Sequence, residues 1–456
     1  MTPLPFRHIH FIGIGGIGVS GVAHLALKAG VRVSGSDQKE SSVTRSLRKA
    51  GAAVFLGHRE ENITGADLVV YSSAIKPDNP EMVAARTQRI PIKKRAEFLS
   101  DLMAEKTVIT VTGAHGKTTT SSLVAKLLTA AGLCPTVAVG GILREEGGNA
   151  RCGESRYFVA EADESDGTFL CYTPTYSIVT NIDHEHMDYY KTYDNLLCSF
   201  AAFLRQTAAE GCAIVCRDDA VLYGLAARNA PRLISYGFSQ GSDCVIEGFA
   251  AGPRTIRFSC CFRGRSLGDF SLPLVGRHNA LNASAVIALG LELGLGPDTV
   301  RAALASFQGV ERRFQVRHED KDILIVDDYG HHPTEIAATL EGAKACGRKR
   351  LVVVFQPHRY TRTRALMDLF ARCFLNCDQL WVTDIYAASE DPMEGVTAES
   401  LVERIRQNAA CPVAYVPRED LVQRVRAEVR PGDLVMFLGA GDITKASDEF
   451  SHLFQK

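Results

Sequence analysis

Long apolar runs are missing from this chain. Over 456 residues, no stretch approaches the ~18 to 20 consecutive apolar positions that a membrane-spanning helix needs, so no membrane insertion is expected. The opening "MTPLPFRHIHFIGIGG" has no signal-peptide layout and runs straight into a strand-like segment, which predicts a cytoplasmic protein. An excess of charge of one sign is missing too. Lys+Arg number 51 against 52 Asp+Glu, a net charge of −1, and that leaves no electrostatic footprint for nucleic acid. The 13 cysteines include no CxxC pair, and Cys260 and Cys261 are adjacent. Such usage fits reduced thiols and excludes both a disulfide framework and a cysteine-based zinc site. HExxH is absent; "HEH" at 184–186 cannot put two histidines on one helical face, which excludes a zinc protease. Internal repeats and low-complexity tracts are lacking as well.

What is present is ordinary globular material, 46% hydrophobic and 23% charged. At roughly 150 residues per domain, two to four domains are expected. "HIHFIGI", "VRVSGSD" and "ADLVVYSSAI" read as strands around a helix over Val19–Ala29, ended by Gly30. A second unit starts near Lys106 with strand "KTVITV", loop "TGAHGKTTT" and helix "SSLVAKLLTAAG". Strands "YFVAEADES" and "YSIVTNID" follow, then short strands over 243–275 read as an antiparallel patch, then a helix from about Asn279 to Leu293. A third unit begins near Val310. There "DILIVDDYGHHPTEIAATLEGA" and "RLVVVFQPHRYTRTRALMDLF" each read strand, polar loop, helix; "QLWVTDI", "VAYVP" and "DLVMFLGAG" add strands. The reading is three α/β domains, 1–105, 106–309 and 310–456, with sites at their junctions.

Two glycine-rich turns stand out. Gly13, Gly15 and Gly18 fit G-x-G-x-x-G, and Asp37 follows about twenty residues on, where a ribose-binding acid belongs in a dinucleotide fold. The second, Gly113-x-x-Gly116-Lys117-Thr118, is a P-loop in which Val111 stands at the usual first glycine. Backbone N–H groups over 113–117 are expected to face phosphate oxygens at a helix N-terminus. Lys117 would supply charge to the β and γ phosphates, and the Thr118 hydroxyl could ligate magnesium. The bland alternative is a polar turn with an exposed lysine. A chain with two phosphate turns is poorly explained as a plain nicotinamide dehydrogenase, and a non-enzymatic nucleotide switch is the other class of reading.

Acidic residues cluster after two strands. "EADESD" holds Glu161, Asp163, Glu164 and Asp166; "NIDHEHMD" holds Asp183, His184, Glu185, His186 and Asp188. Oxygen-rich clusters near a phosphate loop suit magnesium, and the spacing alone fits a solvated loop equally well. Arg359, Arg362 and Arg364 in "RYTRTR" suit recognition of a small carboxylate or another anion.

Together, "GIGGIG", "TGAHGKTTT", "EADESDGTFL", "GRHNALNA", "ERRF", "DDYGHHPTE" and "FQPHRYTRTR" occur in this order over nearly the whole chain. In that order they resemble the Mur ligases. The resemblance implies a Rossmann-like N-terminal domain for a UDP-sugar, a central P-loop-type ATPase domain with a mostly parallel sheet, and a C-terminal Rossmann-like α/β domain. It implies ATP and Mg2+, with two ions, and the small-molecule substrates UDP-N-acetylmuramate and L-alanine, in a monomer or weak homodimer. A closer rival within the family attaches a preformed peptide to the same sugar.

By motif, the resemblance assigns Gly113, Ala114, His115, Gly116, Lys117, Thr118 and Thr119 to ATP phosphates. Thr118, Glu161 and His186 would hold magnesium, His186 being chosen over His184 because it precedes Met187-Asp188. Asn282 would read adenine, while His278 is either a further contact or turn structure. Arg313, in preference to Arg312, would reach the γ-phosphate. Asp328 would bind ribose, with Tyr329 and His331 beside the nucleotide or closing a loop. His358, Arg359 and Arg362 would receive the amino-acid carboxylate. Gly15, Gly16, Ile17 and Gly18 would seat the UDP diphosphate, supported by Ser36, Asp37, His58, Ser72 and Ser73. Lys117, Glu161, His186 and Arg313 are the expected catalytic set. Several family members use a carbamylated lysine downstream of the metal histidine; "NLLCSFAAFL" contains no lysine, so that feature is not carried over.

Overall fold

Short β-branched runs bounded by glycines and polar turns form three separate sheets. The computed structural model describes residues 4–144 and 148–455. The first sheet is wholly parallel: β1 (His8–Ile12), β2 (Arg32–Asp37), β3 (Ala53–Leu56), β4 (Leu68–Tyr71) and β5 (Ile92–Lys94), in the order β3-β2-β1-β4-β5. β1 is buried at all five positions, as a central parallel strand must be. The chain steps outward to β2 and β3, then returns to β4 on the other side of β1. Such a reversal opens a crevice at the carboxyl end of β1, where Gly13 begins the first turn.

The second sheet holds β6 (Thr107–Thr112), β7 (Thr136–Leu143), β8 (Gly148–Arg151), β9 (Tyr157–Glu161), β10 (Tyr176–Val179), β11 (Cys212–Cys216), β12 (Leu233–Gly237), β13 (Cys244–Ala251), β14 (Ile256–Phe262) and β15 (Arg265–Leu272). Their order is β15-β14-β13-β12-β11-β10-β6-β9-β7-β8. β9 and β10 flank β6 in parallel register, with Val111 opposite Glu161 and Thr112 opposite Val179. The loops leaving these three strands therefore open on one sheet edge. The helix after the phosphate loop runs Lys117–Ala130, not from Ser121 as the sequence reading had it. Its three threonines 118–120 are buried, so the polar stretch that looked like loop is the first helical turn.

The third sheet holds β16 (Gln315–Glu319), β17 (Ile323–Asp328), β18 (Arg350–Phe355), β19 (Gln379–Val382), β20 (Val413–Tyr415) and β21 (Asp433–Leu438), ordered β16-β17-β21-β18-β19-β20. Only β16 pairs antiparallel. Alternate residues face two separate cores. Leu324, Val326, Val353, Phe355, Leu434 and Met436 pack on one side; Ile323, Ile325, Val352, Val354, Val435 and Phe437 pack on the other. Helices thus cover both faces, the doubly wound arrangement that the alternating pattern predicts.

The chain groups into two compact units. One comprises Met1–Glu247, Ser259–Phe270 and Leu281–Gln308; the other comprises Gly248–Phe258, Ser271–Ala280 and Gly309–Lys456. Within the first unit the N-terminal sheet packs on the central one. Asn149 Nδ2 donates to Ile17 O, and Ser100 Oγ donates to Cys171 O at 2.9 Å. No helix among the described residues is long and apolar enough to cross a membrane.

Candidate nucleotide sites

The P-loop follows β6 because glycine alone fits there. Gly113 has φ +125°, and a Cβ would lie 2.2 Å from Thr180 Oγ1. Gly116, at φ +84°, is the N-cap of the Lys117 helix. One expectation is corrected. The N–H groups of Ala114 and His115 do not face outward: they donate to Asn181 O at 3.1 Å and Asn181 Oδ1 at 2.8 Å. His115 is further tied to Asp183 through Nε2 at 2.8 Å. That ties the loop down; the first N–H groups of the helix, Lys117 to Thr119, have no carbonyl one turn back within the helix and form the end suited to an anion. Asn282 lies against this turn, its Oδ1 2.6 Å from where a Gly116 Cβ would stand.

Lys117 is not an exposed lysine. Its Nζ donates to Gly113 O at 2.7 Å, Ala114 O at 3.2 Å and Glu164 Oε1 at 2.8 Å. Burial works against its charge, but Glu164, Asp163 and Glu161 prevail and hold the ammonium above its ordinary pKa. Burial pushes the Glu161 carboxyl up, partly countered by Lys117, the Gly140 N–H and the Thr118 hydroxyl. The Gly140 contact is 2.9 Å. The structure separates the two histidines: His184 stacks on Tyr193 at 4.0 Å between centroids and 7°, whereas His186 Nε2 stands 3.5 Å from Glu164 Oε1. His186 has φ +58°, a costly backbone for a non-glycine residue, and it begins the short helix Met187–Tyr190.

These residues fit magnesium. Carboxylates and a hydroxyl are the hard oxygen donors that ion prefers, and Glu164 Oε2 is enclosed without a hydrogen-bond partner. Thr118, Glu161 and His186 are the residues that would hold it.

The first turn repeats the same economy. Gly13 N and Ile14 N donate to Ser36 O at 2.9 and 3.0 Å, and Gly15 N donates to Asp37 Oδ2 at 2.9 Å. A Cβ on Gly15 would stand 2.8 Å from that carboxylate oxygen. Gly16 N closes on Gly13 O at 3.1 Å. Again the helix start, Ile17 and Gly18, is what remains for an anion. Arg95 lies beside it, its Nε 3.2 Å from a Gly18 Cβ position. Ser36 is fully buried; its hydroxyl donates to Glu81 Oε2 at 2.6 Å and sits 2.9 Å from His58 Nδ1. Glu81 also accepts from Asn62 Nδ2 at 2.6 Å. Burial raises its pKa, yet hydrogen bonds from His10, Ser36 and Asn62 win and hold the carboxylate low. Ser36 and His58 thus belong to a buried network under the turn. Ser72 accepts from Ala74 N at 3.3 Å, and Ser73 is exposed.

In the second unit, the Arg312 and Arg313 guanidinium groups lie 5.0 and 5.2 Å from the Tyr329 ring centre. Arg312 is committed to the 439–441 loop through Gly439 O at 2.5 Å and Gly441 O at 3.2 Å; Arg313 pairs with Glu335 at 3.8 Å. Asp328 accepts from Phe314 N at 2.7 Å and Gly330 N at 2.8 Å. Burial still pushes its pKa up to about 6, against the pull of Arg313. Burial also lowers His331 to about 3 and His358 to about 4, with Arg362 adding to both. The two rings lie 5.9 Å apart, and Arg362 Nη1 reaches His358 Nδ1 at 3.2 Å. Arg359 is paired with Glu390 at 2.5 Å, so one of the expected carboxylate receivers already holds one.

Sequence reasoning missed Asn181, Glu81 and Arg95, and it did not separate Glu164 from its neighbours. Glu164 and Asn181 had a local signal, inside "EADESD" and "NIDHEHMD"; Glu81 and Arg95 had none.

A Rossmann-type turn, a separate phosphate-loop turn and an acid-lined lysine mark a multidomain α/β protein with two distinct glycine-rich helix starts. Three family models match in chain order: the Mur ligase family catalytic domain over residues 8–107, the Mur ligase middle domain over 111–290, and the Mur ligase glutamate ligase domain over 312–441. The chain belongs to the Mur ligase family. It is 49% identical over 448 residues to the UDP-N-acetylmuramate–L-alanine ligase of Anaeromyxobacter dehalogenans, covering 98% of each chain. The crystal structure of UDP-N-acetylmuramate-alanine ligase from Thermotoga maritima matches with TM-score 0.85 at 32% identity, over 98% of this chain and 99% of that one. A murein peptide ligase from Psychrobacter arcticus matches with TM-score 0.72 at 23% identity over 97% and 98%, which shows a shared fold.

Proposed function

We propose that this chain is an ATP-dependent ligase joining L-alanine to the lactyl carboxylate of UDP-N-acetylmuramate, the first peptide-adding step of peptidoglycan precursor synthesis in the cytoplasm. The observation that carries the reading is Lys117: buried, at a helix start, and ringed by Glu161, Asp163 and Glu164. The 49% identity to a ligase of that name supports the substrate pair.

A carboxylate is a poor electrophile. Its oxygen attacks the γ-phosphorus of ATP, the bond to the β-bridging oxygen breaks, and ADP leaves. The alanine amine then attacks the acyl carbon; phosphate leaves with the former carboxylate oxygen. The first step crowds anions together, so positioning and charge neutralisation dominate. Lys117 orients the β and γ phosphates, and Arg313 serves the γ-phosphate. Thr118, Glu161 and His186 would hold magnesium, which would supply further positive charge there. Asn282 reads adenine, and Asp328 takes the ribose. Tyr329 and His331 line the nucleotide, and His358, Arg359 and Arg362 receive the alanine carboxylate. Gly15, Gly16, Ile17 and Gly18 form the turn whose helix start, Ile17 and Gly18, seats the UDP diphosphate beside Asp37, His58, Ser72 and Ser73. Domain limits of 1–105, 106–309 and 310–456 assign these tasks to separate domains.

The test is ADP release with UDP-N-acetylmuramate plus either L-alanine or the preformed tripeptide. Turnover with L-alanine alone supports the reading, and preference for tripeptide identifies the recycling ligase. Oxygen-18 in the substrate carboxylate is expected in the released phosphate; retention wholly in peptide and water contradicts the acyl phosphate.

A further inference from the structure

Cys377 and Cys411 are 34 positions apart in sequence, yet their Sγ atoms lie 3.5 Å from each other. Each stands two residues before a strand, Cys377 before β19 and Cys411 before β20. The two strands pair in parallel, with Leu380 opposite Val413. Neighbouring strands run about 4.8 Å apart, inside the Cα separation of about 4.4–6.8 Å that a disulfide spans. Cys377 is buried and Cys411 is partly exposed. The Cys377 thiol beside it pulls the Cys411 pKa down, against burial and Asp378. The same contact, together with burial, pushes Cys377 up. Cys411 therefore ionises first, and the thiolate is the reactive form. Both cysteines line a cavity of about 450 Å³ whose wall also holds Lys344, Arg348, Lys349 and Arg350. Arg350 pairs with Asp433 at 2.7 Å and Arg348 with Glu319 at 3.3 Å. Lys344 instead donates to the neutral Asn376 Oδ1 at 2.7 Å, so no carboxylate cancels its charge. Arg350 begins β18, which puts the cavity at the opposite end of that strand from His358 and Arg359.

We propose that Cys411 and Cys377 form a thiol–disulfide exchange site for a small anionic disulfide, drawn to the pair by the basic wall of the cavity. Cys411 gives its proton to water, and its thiolate attacks one sulfur of the small disulfide. That S–S bond breaks, and the first small thiolate leaves and takes up a proton. Cys377, deprotonated in turn, attacks Cys411 Sγ; the mixed disulfide breaks and the second small thiol leaves. The two protein thiols lose two electrons and two protons, and the small disulfide becomes two thiols. Excess small thiol drives the same steps backward, so the pair is closed only while the oxidised form is abundant. Lys344 and Lys349 act by charge, raising the local concentration of an anionic reagent.

The test treats the reduced full chain with glutathione disulfide (anionic), hydroxyethyl disulfide (neutral) or cystamine (cationic), and maps the thiols by peptide mass spectrometry over time. A cross-link between the Cys377 and Cys411 peptides, two hydrogens lighter than the reduced pair and reversed by reductant, is expected. At low salt it should form at least about tenfold faster with glutathione disulfide than with cystamine. In Lys344→Glu combined with Lys349→Glu the gap should shrink to about threefold or less. Cys377→Ala is expected to stop at a glutathione adduct on Cys411, and Cys411→Ala to leave Cys377 unmodified. An unchanged Tm in each variant separates lost chemistry from lost fold. Wild-type chain that forms no 377–411 cross-link overturns the site. Equal rates with all three probes overturn recognition of the anion, and an adduct on Cys377 in folded Cys411→Ala overturns the order of attack.

Discussion

The two glycine-rich turns of the first unit begin alike and end differently. In both, the loop N–H groups are spent inside the protein, on Ser36, Asp37 and Gly13 in one and on Asn181 in the other. Both leave a helix start as the anion-facing end. At the first, Arg95 lies alongside Gly18 and the nearest acid, Asp37, is committed to Gly15. At the second, Lys117 is embedded among carboxylates that exceed it in charge. A phosphate that is only held needs donors and one cation. A phosphate that is transferred needs its charge neutralised as the transition state forms, and the groups that do this are buried and pre-placed. The contrast supports the proposal that the first turn holds the diphosphate and the second the reacting phosphate.

Breaking the second turn should cost most. Lys117→Met is expected to lower turnover by about a thousandfold or more, with UDP-N-acetylmuramate affinity unchanged in calorimetry. Gly113→Ala forces a Cβ to 2.2 Å from Thr180 Oγ1 at φ +125° and should destabilise the fold by about 3 kcal/mol, read as a fall in Tm. Arg95→Ala should raise KM for the UDP-sugar by about tenfold with kcat held, because it removes binding common to ground and transition states. Glu81→Gln is expected to act in the same direction and less, about threefold, through Ser36 and His58.

The smallest effect sharpens the picture of the second unit. His331 and His358 have folded-state pKa values lowered to about 3 and about 4. Lowered values mean that stability present above about pH 6.5 is lost as pH falls toward 4. Between pH 6.5 and 5 each histidine costs about 2 kcal/mol, while Asp328, raised to about 6, returns about 1 kcal/mol below pH 6. Tm should therefore fall over this range, and His331→Asn should flatten the fall.

Much of the fold was legible because the central parallel strands are mostly apolar runs that end at polar or glycine-containing turns: β1, β6, β17 and β18 sit where the pattern put them. β3 and β5 went unread; "AVFL" and "IKK" are short edge strands, none of whose residues is fully buried, so no apolar period marks them. Lys117 and His186 were legible from motif. Arg95 was not, since it meets Gly18 across 77 positions of sequence, and Glu81 meets Ser36 across 45. Spacing also could not tell which N–H groups of a glycine turn face outward, because Asn181 claims two of them from another strand end.

The central claim, that each turn holds its own nucleotide, is tested most directly by crossed calorimetry. Gly15→Val and Lys117→Met are each titrated with UDP-N-acetylmuramate and with the imido analogue of ATP. The account predicts that Gly15→Val loses the UDP-sugar and keeps the ATP analogue, while Lys117→Met does the reverse. Loss of the ATP analogue in Gly15→Val together with loss of the UDP-sugar in Lys117→Met would contradict it.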